Sequence, residues 1–385
     1  MKIAIMMRAI DQDSGFRAYT EELVESMIKL DKNNFYLLIY RLPKHFGRFS
    51  SYPNVKEVLT KPLHKLLWDQ VSVPFVAMKE RADIIFNPKF SVPLLSPIPV
   101  TMGLQEHGFF TNPEYYEKWD VRYQKFMIPR CARKSAHLFP MSRFILEENR
   151  RILGMPLENT TVLYSATDDR FKPEKNEEKI SDFRKAYQLP AKFILCVTRV
   201  DHPGLDGSTS FYGGKNPETA FRAFARIRDK IPHKLVFAGR KVKEYLYHTE
   251  GNDVDLEKVE FITWIPYEEL HMLYSSADLF INPAPREGCP ATVLEAMACG
   301  KAMVLASTGG SAEVGRDAAL FAEPRNDKDF SEKLLLVILN DNLRKNLENN
   351  SLNRATFFQW EKSASLCIEA LEKCIWNRSG KNKNI

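Results

Sequence analysis

Glu287 and Glu295, separated by seven residues, carry the strongest chemical signal in the sequence. They sit in Glu287-Gly288-Cys289-Pro290-Ala291-Thr292-Val293-Leu294-Glu295, followed by Ala-Met-Ala-Cys-Gly. The apolar run Leu279–Asn282 ahead of them reads as a strand, and Ala291–Ala298 reads as a helix. Pro290 suits a first helical turn, where its missing N–H costs nothing. Glu287 then precedes the helix and Glu295 lies about one and a half turns into it. A helix N-terminus between two carboxylates can receive an anion such as a diphosphate, and the carboxylates can accept hydrogen bonds from sugar and ribose hydroxyls. A bare pair of glutamates also fits a solvated helix start. The strand, turn and apolar helix around this pair favour the binding reading.

Further candidates lie where strands end. Thr198-Arg199-Val200 closes one apolar run, and Gly214-Lys215-Asn216-Pro217 opens the next helix. Leu205–Gly213 between them reads as a flexible insertion. Ser14-Gly15 follows the first strand, where a glycine at a helix N-terminus lets backbone approach a ligand phosphate, although a plain turn would look the same. Gly309-Gly310-Ser311-Ala312-Glu313 offers backbone N–H groups to a phosphate or sugar. Gly239-Arg240-Lys241 ends another strand. Trp264 and Ile265, in Phe261-Ile262-Thr263-Trp264-Ile265-Pro266, fit a ligand contact and core packing equally. The stretch Gly207–Lys215 lacks the spacing of a phosphate loop, and no G-x-G-x-x-G occurs. Asp-x-Asp at Asp11-Gln12-Asp13 and at Asp253-Val254-Asp255 is the pair a metal-dependent transferase would use, but the second lies in a polar, surface-like stretch. No catalytic metal or cofactor is expected.

Placing these residues requires repeated strand–helix units. Apolar β-branched runs alternate with amphipathic stretches, the pattern of a parallel sheet with helical crossovers. Strands are expected at Lys2–Met7, Phe35–Tyr40, Asp83–Phe86, Pro99–Met102, Ala136–Phe139 and Thr161–Leu163. A helix follows Gly15, others span 66–80 and 113–133, and Ser142 caps one to Leu153. Ser165–Glu178 is polar and reads as a linker. A second set of strands covers Phe193–Val200, Lys234–Ala238, Val259–Thr263, Leu279–Asn282, Ala302–Ala306 and Ala319–Phe321. The expectation is α/β, two tandem doubly wound Rossmann-like domains: 1–164, 165–360, and a final helix with a loose tail over 361–385. Ligands in such sheets bind beyond the carboxyl ends of the strands.

The Glu-(seven residues)-Glu segment, with Ser276-Ala277-Asp278-Leu279-Phe280-Ile281-Asn282-Pro283 before it and Gly300 to Ala306 after it, resembles the motif of the retaining GT-B glycosyltransferases (family four, group 1) that include bacterial mannosyltransferases. The resemblance spans nearly the whole chain and is strongest from Phe193 to Pro324. It implies that Glu287 contacts the transferred sugar and Glu295 the ribose. It implies too that Arg199 and Lys215 grip the leaving diphosphate in place of a metal. Relatives often read His-Pro-Gly-Lys-Asn directly, whereas here His202-Pro203-Gly204 is split from Gly214-Lys215-Asn216. Donor contacts are implied for Gly15, Arg240, Trp264, Ile265, Gly288, Cys289, Pro290 and Gly310. An acceptor-side His-Asp falls in one register on Gln105 and Glu106, and two residues later on His107, a candidate catalytic residue. The resemblance also implies domains facing across a cleft, a C-terminal helix crossing back to the first domain, and retention of configuration. The donor it suggests is GDP-mannose first and a UDP-sugar next.

Composition sets the bounds. With 385 residues, 44% hydrophobic and 27% charged, the chain has room for two globular cores. No segment approaches the apolar length of a membrane span, and the start does not read as a signal peptide. The six cysteines form no Cys-x-x-Cys pair and read as packed, reduced thiols of a cytoplasmic protein. Residues 1–164 hold 23 Lys/Arg against 17 Asp/Glu, whereas the remainder holds 32 of each. That asymmetry fits scatter over a solvated surface, or attraction to an anionic membrane, with Arg130, Arg133 and Lys134 as one patch. Nucleic acid is not indicated. The expected activity is hexosyl transfer to a lipid-linked or polysaccharide acceptor in cell-surface polysaccharide synthesis, with localisation in the cytoplasm, either free or peripheral on the inner face of the cytoplasmic membrane. A sugar-nucleotide epimerase of the same fold and a non-catalytic nucleotide-sugar-binding protein are the alternatives.

Overall fold

The computed structural model describes residues 1–12, 15–105, 108–154, 159–203, 209–211 and 213–381. The chain forms two compact units, Met1–Ser165 with Gln359–Ile385, and Ala166–Phe358. Each is built on one six-stranded sheet.

In the first unit the strands are β1 (Lys2–Met6), β2 (Phe35–Tyr40), β3 (Val55–Leu59), β4 (Ile84–Asn87), β5 (Val100–Leu104) and β6 (His137–Pro140). They run parallel in the order β3-β2-β1-β4-β5-β6. Central strands of a parallel sheet are covered on both faces, so they read as unbroken apolar runs. Ile3 to Met6 and Leu37 to Ile39 are fully buried accordingly. The helix Gly15–Leu30 buries Leu23, Val24, Met27 and Ile28 at helical spacing. The last helix, Trp360–Lys381, belongs to this unit. Trp360 meets Tyr19 edge to face at 5.6 Å, the Ser363 hydroxyl donates to the Tyr164 carbonyl at 2.8 Å, and Asn34 Nδ2 donates to Glu372 Oε1 at 2.8 Å.

The second unit begins its sheet with β7 (Phe193–Val197). Next come β8 (Asp201–Pro203) and β9 (Thr209–Phe211), which pair antiparallel with each other. The segment expected as a flexible insertion is thus tied at its base into a two-stranded ribbon; residues 204–208 and 212 lie outside the described residues. The sheet continues with β10 (Lys234–Ala238), β11 (Val259–Ile262), β12 (Leu279–Asn282), β13 (Ala302–Ala306) and β14 (Ala319–Ala322). Its strands are parallel in the order β11-β10-β7-β12-β13-β14. Both sheets reverse winding direction once, at β1/β4 and at β7/β12.

Other differences have local causes. β3 is a half-exposed edge strand carrying Lys56 and Glu57, so it lacks the apolar run that marks buried strands. The segment expected as a strand at 161–163 reaches β6 by hydrogen bonds from Thr161 N to Leu138 O and from Leu163 N to Pro140 O, and by one isolated bridge, without forming a strand. The helix expected over 113–133 starts at Lys118, because Tyr116 is extended after the 3-10 turn Pro113–Tyr115. Asn176 opens an unforeseen helix, Glu177–Ala186, at the end of the linker region by accepting from the N–H groups of Glu178 and Lys179. Over 65–79 a π turn at Trp68–Ser72 widens the helix just before Pro74, whose ring would crowd the carbonyl four residues back.

Candidate active site

The loops beyond β7 and β12 meet at the winding reversal of the second sheet, where ligands of open α/β sheets sit. Gly213–Lys215 forms a 3-10 turn, and Asn216 follows in the left-handed region at φ 56°. Its Nδ2 donates to the Pro283 carbonyl at 3.0 Å, and its Oδ1 accepts from Thr219 Oγ1 at 2.8 Å. Asn216 is buried, so it fastens the loop after β7 to the loop after β12. Lys215 next to it places Nζ 3.1 Å from Glu287 Oε1. Asn282, the last residue of β12, turns Nδ2 toward the same oxygen at 3.4 Å. Glu287 is buried, whereas Lys215 is half-exposed. A half-exposed cation beside a buried carboxylate can also serve an entering anion. Arg199 lies half-buried just past the end of β7.

The loop bearing Glu287 is pressed against the start of the helix Gly309–Gly315. Gly310 N donates to the Glu287 carbonyl at 2.7 Å, and Thr308 Oγ1 donates to the Pro285 carbonyl at 2.5 Å. A Cβ on Gly310 would stand 2.1 Å from the Gly288 carbonyl oxygen, so only glycine permits this approach. Gly288, Cys289 and Pro290 are buried in the same loop. The Ser311 hydroxyl one residue on is buried with no hydrogen-bond partner, as is that of Thr198 beside Arg199.

Glu295 is buried on the helix Ala291–Ala298, where its Oε2 accepts from the Tyr274 hydroxyl at 2.6 Å. Burial pushes its carboxyl up to about 7; the Tyr274 hydrogen bond opposes that shift and the Asp168 charge adds to it. Arg240 is exposed after β10. Gly239 before it has φ 150°, and a side chain there would collide with the Thr198 carbonyl, so the ends of β10 and β7 close up only because residue 239 is bare. Trp264 is 71% exposed and Ile265 half-buried. Trp264 therefore does not pack in the core and presents its ring to solvent, the state in which an indole can stack on a base.

The first unit has its own winding reversal, and what stands there was not anticipated. Arg8, after β1, forms a bidentate pair with buried Asp69 at 3.0 Å, and Ser91 Oγ donates to Asp69 Oδ2 at 2.9 Å. Lys89, after β4, is buried; its Nζ donates to Gln12 Oε1 at 2.6 Å and lies 4.8 Å and 5.1 Å from the ring centroids of Phe16 and Phe90. Burial lowers the Lys89 ammonium to about 7, with the Arg8 charge acting the same way and Asp69 against it. No sequence motif marked these residues, since a lone lysine after a strand looks like a surface cation. Gly15 opens its helix, and a Cβ added to it would meet nothing within 4 Å, so the turn leaves room there. Gln105 is buried, donating from Nε2 to the Pro88 carbonyl at 3.1 Å while its Oε1 has no partner. Glu106 and His107 lie outside the described residues.

Among the described residues no group of three or more His, Cys, Asp or Glu side chains could hold a metal ion. Asp255 pairs with Arg228, and Asp11 lies 3.4 Å from Arg41; Asp13 lies outside the described residues. All six cysteines are free, five of them buried.

Comparison with known proteins agrees with this layout. Residues 209–354, which include Lys215, Glu287 and Glu295, match the family described as Glycosyl transferases group 1. The chain is 24% identical over 303 residues to O-antigen chain mannosyltransferase B of Escherichia coli, covering 76% of this chain and 75% of that protein. It is 36% identical over 107 residues to the N,N'-diacetylbacillosaminyl-diphospho-undecaprenol alpha-1,3-N-acetylgalactosaminyltransferase of Campylobacter jejuni, a match confined to 27% of this chain and 28% of that one. Among solved structures, HepE of Anabaena in complex with UDP-glucose superposes with a TM-score of 0.69 at 17% identity, covering 97% of this chain and 100% of that one. The chain is a glycosyltransferase whose residues 209–354 match the group 1 family, and its two doubly wound units are the GT-B fold.

Proposed function

We propose that this enzyme transfers a hexose from a nucleoside-diphosphate sugar to a hydroxyl of a lipid-linked or polysaccharide acceptor, with retention of configuration and without a metal. The observation carrying this reading is the Lys215–Glu287 pair at the β7/β12 reversal, one loop away from Arg199. Lys215 and Arg199 hold the diphosphate and stabilise the charge that grows on it as the bond to the sugar breaks. Glu287 and the backbone N–H groups near Gly310 hold the transferred sugar. The ribose hydroxyls go to Glu295, and Trp264, Ile265 and Arg240 flank the base. As the anomeric carbon–oxygen bond to the β-phosphate breaks, the acceptor oxygen bonds to the same face of that carbon, and its proton passes to the departing phosphate. No cofactor enters the reaction.

The E. coli relative, by name an O-antigen chain mannosyltransferase, supports GDP-mannose as the first donor to try; the UDP-glucose bound by the Anabaena protein supports a UDP-sugar as the second. The diphospho-undecaprenol in the Campylobacter relative's name supports a lipid-linked acceptor. A panel of sugar nucleotides, scored for release of nucleoside diphosphate with excess EDTA present, tests donor and metal independence together. Release with one sugar nucleotide, undiminished by EDTA, is expected. Loss on chelation that Mg²⁺ or Mn²⁺ restores would overturn metal independence. An inverted product by NMR would overturn retention, and a donor interconverted without diphosphate release would point to epimerisation.

A further inference from the structure

Three segments of the first unit, joined to one another by hydrogen bonds and an ion pair, present large apolar side chains to solvent. In the helical run 65–79, Leu67, Val71, Phe75 and Met78 recur at helical spacing and are all exposed, Phe75 to 61%. In the helix Lys118–Lys134, Trp119 and Phe126 are exposed, Trp119 to 76%. The loop after β4 runs between them: Gln70 exchanges hydrogen bonds with the Val92 carbonyl (2.9 Å) and the Leu94 N–H (2.8 Å), while Cys131 Sγ lies 3.7 Å from that same Val92 carbonyl. From this loop Leu95 projects 94% exposed. Lys65 closes the junction by pairing with Asp120 at 3.2 Å. So many exposed apolar side chains on segments joined in this way point to a docking face.

Charge identifies what docks. On the helix Lys118–Lys134 the exposed residues Trp119, Arg122, Phe126, Arg130 and Arg133 recur every three or four positions, so aromatics and arginines share one stripe. Arg130 lies over the Phe126 ring at 3.4 Å, holding cation and aromatic together. Of the acidic residues on these segments, Asp69 is buried, Glu80 pairs with Lys56 and Asp120 with Lys65, which leaves Glu117. A symmetric pair of copies joined by this face would set arginine against arginine, because such an interface meets itself. An anionic bilayer satisfies both parts of the stripe: arginines reach lipid phosphates while the aromatics enter the headgroup layer.

We propose that this face seats the first unit on an anionic lipid surface, with Phe75, Leu95, Trp119 and Phe126 inserting and Arg122, Arg130 and Arg133 contacting phosphates. The proposal rests on the transferase reading above, for which it names the place where a lipid-linked acceptor is met. It modifies the sequence-derived patch of Arg130, Arg133 and Lys134: Lys134 reaches back to the Ser96 carbonyl at 3.1 Å, off the stripe, whereas Arg130 gives Nη1 to the Phe126 carbonyl at 2.8 Å on the stripe and has further N–H groups to offer.

The full chain should co-sediment with phosphatidylcholine vesicles containing about a quarter phosphatidylglycerol at low salt, and much less with pure phosphatidylcholine or at high salt. Each arginine replaced should weaken vesicle affinity about 5-fold, so combined Arg122→Ser, Arg130→Ser and Arg133→Ser should weaken it about 100-fold. Phe75→Ser with Trp119→Ser, both exposed and so tolerated by the fold, should weaken it at least about 10-fold, and brominated lipid should quench Trp119. Failure to bind anionic vesicles at low salt would overturn the proposal. So would undiminished binding by the Phe75→Ser, Trp119→Ser variant, or a dimer seen by sedimentation that this variant abolishes. Donor turnover in solution does not depend on this face, so diphosphate release that persists while vesicle binding fails would sink this proposal and leave the transferase reading standing.

Discussion

The two sheets share a strand order and a winding reversal, yet the residues gathered at the two reversals behave differently. At β7/β12 the charges are partly open: half-exposed Lys215 beside buried Glu287, with half-buried Arg199 nearby. At β1/β4 they are closed in on the protein itself, Arg8 on Asp69 and Lys89 on Gln12. Topology alone therefore fixes where a site can stand, and the loops decide whether its charges face a ligand or hold the fold. The glycines mark the same contrast. Gly310 is forced by backbone contact, whereas Gly15 has empty space beside it.

The sharpest test of this contrast is Lys215→Ala. If Lys215 serves the leaving diphosphate, kcat should fall about 10²–10³-fold, the loss typical of one charge-stabilising donor. A drop below tenfold would reduce Lys215 to a structural partner of Glu287. Next comes the glycine pair. Gly310→Ala should destabilise the protein by about 1–3 kcal/mol through backbone overlap, while Gly15→Ala should stay within about 0.5 kcal/mol. Equal effects in thermal unfolding would erase the distinction between the two turns.

The third test uses pH. Glu295 has a carboxyl near 7 and must accept from ribose hydroxyls as a carboxylate, so nucleoside diphosphate affinity should rise about tenfold from pH 6 to 8. Glu295→Gln should flatten this profile. Because the folded pKa lies above the ordinary 4.5, the folded state holds the proton more tightly, and Glu295's contribution to stability should fall as pH rises from about 4.5 to 7. The last test is at Lys89, with the opposite sign. Its folded pKa, about 7, lies below the ordinary 10.5, so the folded state binds the proton less tightly. Stability from this residue should rise between about pH 7 and 10.5, and Lys89→Met should remove that part of the slope of Tm against pH. An unchanged slope would mean that Gln12 and the two aromatic rings hold the ammonium charged.

The second unit was the more legible of the two in sequence, for a physical reason. Its candidate site is built from short strand–turn–helix pieces, so Glu287 and Glu295 carry their context with them. Lys215 was named from its motif across an interruption, and the fold shows how it is placed: Asn216 ties its loop to the loop after β12, and the β8/β9 ribbon closes the base of the interrupting segment. The cluster of Arg8, Asp69 and Lys89 joins positions that are far apart in the chain and individually ordinary. Trp264 read equally as a ligand contact or a core residue because an indole is at home in both; its exposure excludes the core. β3 escaped notice because edge strands carry charges, and the π turn before Pro74 leaves no periodic trace.

The return of Trp360–Lys381 to the first unit bears on how the molecule is made. The second unit is one unbroken stretch, Ala166–Phe358, whereas the first is completed by residues synthesised after it. Emerging from a ribosome, the second unit can finish folding while the first still lacks the helix that covers Tyr19 and Asn34. The usual order, amino-terminal domain first, is thereby inverted. Until the helix Trp360–Lys381 emerges, the nascent chain carries a finished domain behind an unfinished one, and the apolar surface awaiting that helix is what a chaperone would have to shield.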